Sequence, residues 1–189
     1  MKDLLSRLLP HQQRQALKRR LFAVRDMTTR LEVLRQAGFM PTGAIDGGAY
    51  HGDWATTFWS VFPGVPVWLL EPQPGCQQIL NRLVQQHPGS RVLASALSSR
   101  QGAASFVLAE TNSGLSSAEG DSGQTIRVPT ERLEDLVLDW SGVQPNLLKL
   151  DLQGHELQAL EGAGARLAQF EVVDPGGVGV THRRGADLP

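Results

Sequence analysis

From Thr42 onward the chain alternates short apolar runs with stretches of helical spacing. Gly43–Asp46 reads as a short strand running into a glycine-rich turn. Trp54, Ala55, Phe58, Trp59 and Phe62 then recur at helical intervals. Val65–Leu70 is apolar on both strand faces, the pattern of a fully buried strand, and it ends in Glu71-Pro72. Cys76, Ile79, Leu80, Leu83 and Val84 mark one face of the next helix. Arg91–Ala96 predicts a third strand. Residues 104–109 and 125–129 are β-like, with a Ser/Gly-rich loop, Asn112–Gly123, between them. Residues 131–139 predict a helix, and 146–151 another strand. Leu157, Leu160, Ala163 and Leu167 predict the helix after it, and Phe170–Val173 a last strand.

Strands alternating with helices at this spacing predict an α/β fold: a Rossmann-like, doubly wound, mostly parallel sheet covered on both faces. Ahead of it, Leu17, Leu21, Val24, Met27, Leu31 and Leu34 form a helical stripe that stops near Gly38. The expected organisation is a helical extension over 1–38, a core domain over 39–173 and an irregular, Gly-rich tail over 174–189.

Charge modifies this picture in one place. The 189 residues carry a net charge of −1, but residues 1–36 hold nine Lys/Arg against three Asp/Glu. That basic amphipathic helix is expected to pack on the domain with its charges in water, the commoner fate of such helices, rather than to lie on a membrane surface. The rest of the chain is acidic, which argues against a nucleic-acid groove. The single cysteine, Cys76, has no disulfide partner and no metal-ligand spacing around it, so a cytoplasmic location is expected and no metal.

Two segments carry candidate chemistry. The first is Asp46-Gly47-Gly48-Ala49-Tyr50-His51-Gly52, where a strand enters a glycine turn just before a helix. Glycines there let backbone approach a ligand; the competing reading is a tight turn whose glycines serve only the fold. Glu71, at the end of the next strand, stands where a carboxylate can accept both hydroxyls of a ribose. Together they point to an adenosine-bearing cofactor at the carboxyl edge of a parallel sheet. The glycine spacing is wrong for a dinucleotide fingerprint, and no Lys-Ser/Thr follows for a P-loop. The second segment is Leu148-Lys149-Leu150-Asp151-Leu152-Gln153-Gly154-His155-Glu156. In a doubly wound sheet its strand flanks the topological switch point beside the first strand, so Asp46–Gly48 and Asp151–Glu156 are expected to line one crevice. Lys149, a charge inside a buried strand, is expected to reach a carboxylate or the strand end.

These blocks, with Leu70-Glu71-Pro72-Gln73-Pro74, Asn81, Asn112–Ser117, Val128–Leu136 and Leu160-Glu161-Gly162-Ala163, resemble the FkbM family of S-adenosylmethionine-dependent methyltransferases over about residues 30–170. The Lys149–Glu156 block with Leu160–Ala163 is the most specific part. The resemblance implies S-adenosylmethionine as cofactor, held by Asp46, Gly47, Gly48, Ala49, Gly52, Glu71 and Asp151. It implies O-methylation of a small-molecule or glycan hydroxyl. Asp151, His155, Glu156 and His51 are the candidate catalytic groups, with histidine the better base. It also implies a seven-stranded sheet ending in an antiparallel hairpin. This chain departs from that pattern after Val173, and a truncated sheet, incomplete at its C-terminal edge, is expected. The rival expectations are a catalytically impaired remnant and a nucleotide- or NAD-binding protein of the same fold. Oligomeric state is not legible.

Overall fold

Three strands in which every residue is buried form the centre of the molecule: β1 (Ala44–Gly47), β2 (Val67–Leu70) and β8 (Leu147–Leu150). The computed structural model describes residues 26–108, 113–115, 124–138 and 144–174. With β3 (Arg91–Leu93) and β9 (Val172–Asp174) these strands make a parallel sheet of order β3-β2-β1-β8-β9. The order reverses at β1, between β2 and β8.

Side-chain alternation sends successive residues to opposite faces. Ala44, Val67, Leu69, Leu147 and Val172 pack with α1 (Met27–Gln36), α2 (Asp53–Val61) and α3 (Pro74–Val84). Ile45, Trp68, Leu70, Leu148, Leu150 and Val173 pack on the other face with α4 (Leu133–Leu138) and α5 (Glu156–Ala163). The helices start where their chemistry allows. Asp26 caps α1 by accepting the Thr29 amide at 2.8 Å, and Pro74 opens α3, where a missing N–H costs nothing. Of the stripe expected over residues 1–38, Leu31 and Leu34 are buried against the domain; Leu17, Leu21 and Val24, like the tail beyond 174, lie outside the described residues.

The third strand departs from the reading of one segment over 91–96. Glu71 N–H donates to Leu93 O at 3.1 Å. Beyond it Pro72 has no N–H and the chain turns into α3, so β3 has nothing further to pair with. The chain resumes as β4 (Ala96–Leu97) in a second sheet. That sheet has the order β4-β7-β5-β6, with β5 (Gly102–Leu108), β6 (Gly114–Leu115) and β7 (Gln124–Glu131). Its β5–β7 pair is antiparallel, and β4 joins β7 in parallel.

The helix after β8 also differs in phase. Leu157 is 65% exposed, whereas Ala159, Gly162 and Ala163 are buried. Small residues face inward because α5 sits very close to the segment after β4. A Cβ built on Gly162 lies 2.1 Å from Ser98 O. The chain then tightens into a 3₁₀ turn, Gly164–Gln169, which ends the α periodicity before Leu167.

Asn146 fastens the entry of β1 to β8 and β9. Its Oδ1 accepts the Thr42 amide at 2.9 Å, and its Nδ2 donates to Met40 O at 3.2 Å and Glu171 Oε1 at 3.1 Å. Asn146→Ala removes three bonds from a buried amide, so it is expected to lower unfolding free energy by about 2 kcal/mol in urea denaturation.

Candidate active site

The carboxyl ends of β1, β2 and β8 open onto a cleft of about 220 Å³. Gly48, Glu71 and Asp151 line it, each one residue past its strand. The register places Gly47 opposite Leu150, and Asp151 N–H donates to Gly47 O at 3.0 Å. The glycine turn and the carboxylate-tipped strand therefore meet side by side at the switch point. The second sheet builds the facing wall from Ala96, Leu97, Phe106, Gly114 and Leu115. Of the Ser/Gly-rich loop, the described residues Ser113–Leu115 lie on the cleft.

Glu71 is held firmly. Its Oε2 accepts the Tyr50 amide at 2.8 Å and its Oε1 the Gln73 amide at 2.9 Å. The side chain is almost fully buried. Burial pushes its carboxyl above the ordinary 4.5, and the two amide bonds oppose that shift. Each carboxylate oxygen can accept a second donor. Tyr50 takes a left-handed backbone, φ 47°, and so does Gln153, φ 54°, on the other side of the cleft. Such conformations cost about 1 kcal/mol or more in residues other than glycine and tend to mark functional sites.

The glycines act differently from a bare ligand cradle. A Cβ on Gly48, which has φ +73°, lies 2.1 Å from Asp151 O. One on Gly47 meets the Leu97 and Leu150 side chains at 2.9 and 3.0 Å, and one on Gly52 meets Leu83 at 2.4 Å. Their absent side chains bring β1 against β8 and α2 against α3. Among them Gly48 lines the cleft; Asp46, Gly47, Ala49 and Gly52 stand behind it.

Asp46 is fully buried beside Lys149, whose Nζ lies 2.8 Å from Asp46 Oδ1. Apart from this ion pair, neither carboxylate oxygen of Asp46 has a polar partner among the described residues. Burial raises the Asp46 carboxyl above 3.8, against the pull of Lys149. Lys149 thus reaches both a carboxylate and the strand end.

Asp151 and His155 line the cleft, with Gln153 Nε2 donating to Asp151 Oδ1 at 3.1 Å. His155 Nε2 is 3.2 Å from Ser98 Oγ. Burial lowers the His155 pKa below 6.5, and neighbouring Glu156 partly offsets this. Ser98 lies 57 residues away in sequence and carries no pattern that could have paired them. Glu156 is not among the residues that line the cleft. Its carboxylate accepts the amides of Leu152 at 2.9 Å and Gly154 at 3.1 Å, which pins the loop carrying Asp151 and His155. His51 stacks on Tyr50, ring centroids 3.8 Å apart. No group of metal-ligating side chains occurs among the described residues, and no described helix is long and apolar enough to cross a membrane.

Comparison with known proteins bears on the family and the fold. The family described as methyltransferase FkbM domain matches residues 46–177. The solved structure of methyltransferase FkbM from Methylobacillus flagellatus KT superposes with a TM-score of 0.51 at 17% sequence identity, which establishes likeness of fold. The match covers 84% of this chain and 46% of that one, so this chain spans about half the length of that relative. No curated protein matches.

Proposed function

The chain belongs to the methyltransferase FkbM domain family, and on that premise we propose that it transfers a methyl group from S-adenosylmethionine to a hydroxyl of a sugar or natural product. The observation that carries this reading is the convergence of Gly48, Glu71 and Asp151 on one cleft at the switch point. A carboxylate fixed by two backbone amides, with lone pairs to spare, fits a ribose diol. A carboxylate at the end of β8 and the open backbone of Gly48 fit the amino-acid end of the same molecule. When bound, S-adenosylmethionine supplies a methyl group on a sulfonium, which needs no further activation.

The chain's own residues then have to hold the acceptor in line and take its proton. Positioning of this kind contributes on the order of 7–11 kcal/mol to such reactions. His155 is the preferred base. Burial keeps its ring neutral near pH 7, and Ser98 fixes the ring at the cleft wall. His155 would take the proton that the acceptor hydroxyl loses, its imidazole becoming the imidazolium. His155→Gln is expected to slow methyl transfer about 100-fold or more while leaving affinity for S-adenosylhomocysteine within about twofold of wild type. In the wild type the rate should fall as pH drops through a pKa below 6.5, because the protonated ring accepts nothing.

Isothermal titration with S-adenosylhomocysteine and with NAD tests the cofactor. Heat and thermal stabilisation from the first, with neither from the second, support the proposal. Stronger binding of NAD contradicts it, and binding of neither marks a remnant without cofactor.

A further inference from the structure

A buried ion pair is seldom more stable than apolar side chains of similar volume, because desolvation offsets the attraction. Asp46 and Lys149 form such a pair directly behind the cleft, with side chains 0% and 7% exposed. The parallel register sets the two residues opposite each other, so alternation puts them on the same face of the sheet. What the ammonium does beyond neutralising Asp46 is visible in its other contacts. It donates to Gly48 O at 2.8 Å and reaches Gly47 O at 3.3 Å. The peptide units it grips are those of the turn that leaves β1, and Gly48 is part of the cleft wall. On the other side of that turn, the amides of Gly48 and Ala49 donate to Leu70 O at 3.0 and 3.1 Å. The turn is therefore tethered through its N–H groups to β2 and through its carbonyls to β8.

We propose that Lys149 is a positioning residue: its buried ammonium, neutralised by Asp46, holds the carbonyls of the Gly47–Gly48 turn and so sets the wall of the cleft against which the cofactor rests. The cofactor part of this statement rests on the reading of the cleft given above; the ordering of the turn does not. Alternation and register explain why the two charges occur together. A lysine on β8 reaches the turn only by crossing a buried face, and a carboxylate on β1 makes that crossing tolerable.

Two variants separate positioning from mere stability: Lys149→Met, and the double variant Lys149→Met with Asp46→Leu. Lys149→Met leaves Asp46 buried without its counter-charge, so a large drop in Tm is expected. Should it fail to fold, the double variant carries the test, since it removes both charges and is expected to recover most of the lost Tm. Hydrogen–deuterium exchange on the ligand-free double variant should be faster across residues 47–52 than in wild type, with β2 and α3 unchanged. Its Kd for S-adenosylhomocysteine should weaken at least about tenfold, the equivalent of one charge-assisted hydrogen bond. Wild-type exchange in the turn together with wild-type Kd would overturn the proposal, as would a uniform rise in exchange over the whole sheet. If the wild type does not bind S-adenosylhomocysteine, it is the cofactor reading that fails, and the exchange result alone decides the role of Lys149.

Discussion

Gly48→Ala is expected to lower unfolding free energy by at least about 3 kcal/mol and to abolish measurable binding of S-adenosylhomocysteine. Two effects add. The backbone at Gly48 sits at φ +73°, where a side chain is strained, a cost of about 1 kcal/mol. The new methyl would also lie 2.1 Å from Asp151 O, a contact with backbone that no rotamer change relieves. The turn and the β8 end must separate, and those are the two walls of the switch-point crevice. Urea denaturation and calorimetric titration check both effects. A variant within about 0.5 kcal/mol of wild type, the range of an ordinary surface substitution, would show that the close approach is not what fixes this junction.

Glu71→Gln is the second large effect, and it falls on binding as well as on folding. The amide keeps one oxygen acceptor, but its NH₂ must then face a backbone N–H, either of Tyr50 or of Gln73. It also removes the charge that a ribose diol would meet. A loss of about 2–3 kcal/mol in affinity for S-adenosylhomocysteine is expected, some 30- to 100-fold, from hydrogen bonds to a charged group. The pH dependence gives an independent check. Burial raises the Glu71 pKa above 4.5, so the folded state holds this proton more tightly than the unfolded chain does. Its contribution to stability is therefore greatest at acid pH and declines as pH rises from 4.5 through the raised value. Binding runs the other way: affinity in the wild type should fall as pH is lowered through the same window, and Glu71→Gln should be flat across it. An unchanged affinity in the variant would remove Glu71 from the binding site.

How much of this was legible in the sequence depended on range. The central strands were readable because burial on both faces leaves an apolar run, unbroken in Val67–Leu70 and interrupted only by Lys149 in Leu147–Leu150. The juxtaposition of Gly48 and Asp151 followed from topology alone, since a doubly wound order places the first strand beside the later one. The second sheet was not legible as a wall of the cleft. Its contacts pair two-residue strands with distant partners, Ala96 with Thr130 and Phe106 with Leu115, and such pairings leave no local period.

The direction of a missing side chain was equally hidden. Gly47, Gly48 and Gly52 suggested room for a ligand, yet the space where each Cβ would stand belongs to the protein itself. Glu156 matched a catalytic pattern by type and spacing, while its carboxylate serves the amides of its own loop. Asp46, expected on the crevice, supports it from behind through Lys149. In each case the residue type was informative and its orientation was set by tertiary contacts that periodicity does not encode.

The central claim is that the turn after β1 and the ends of β2 and β8 form one seat for an S-adenosyl nucleoside. The most direct measurement is a crystal structure with S-adenosylhomocysteine bound. The account predicts its ribose hydroxyls within hydrogen-bond distance of Glu71 and its homocysteine end between Gly48 and Asp151. Ligand bound elsewhere, or a cleft left empty by crystals grown at saturating ligand, would contradict it.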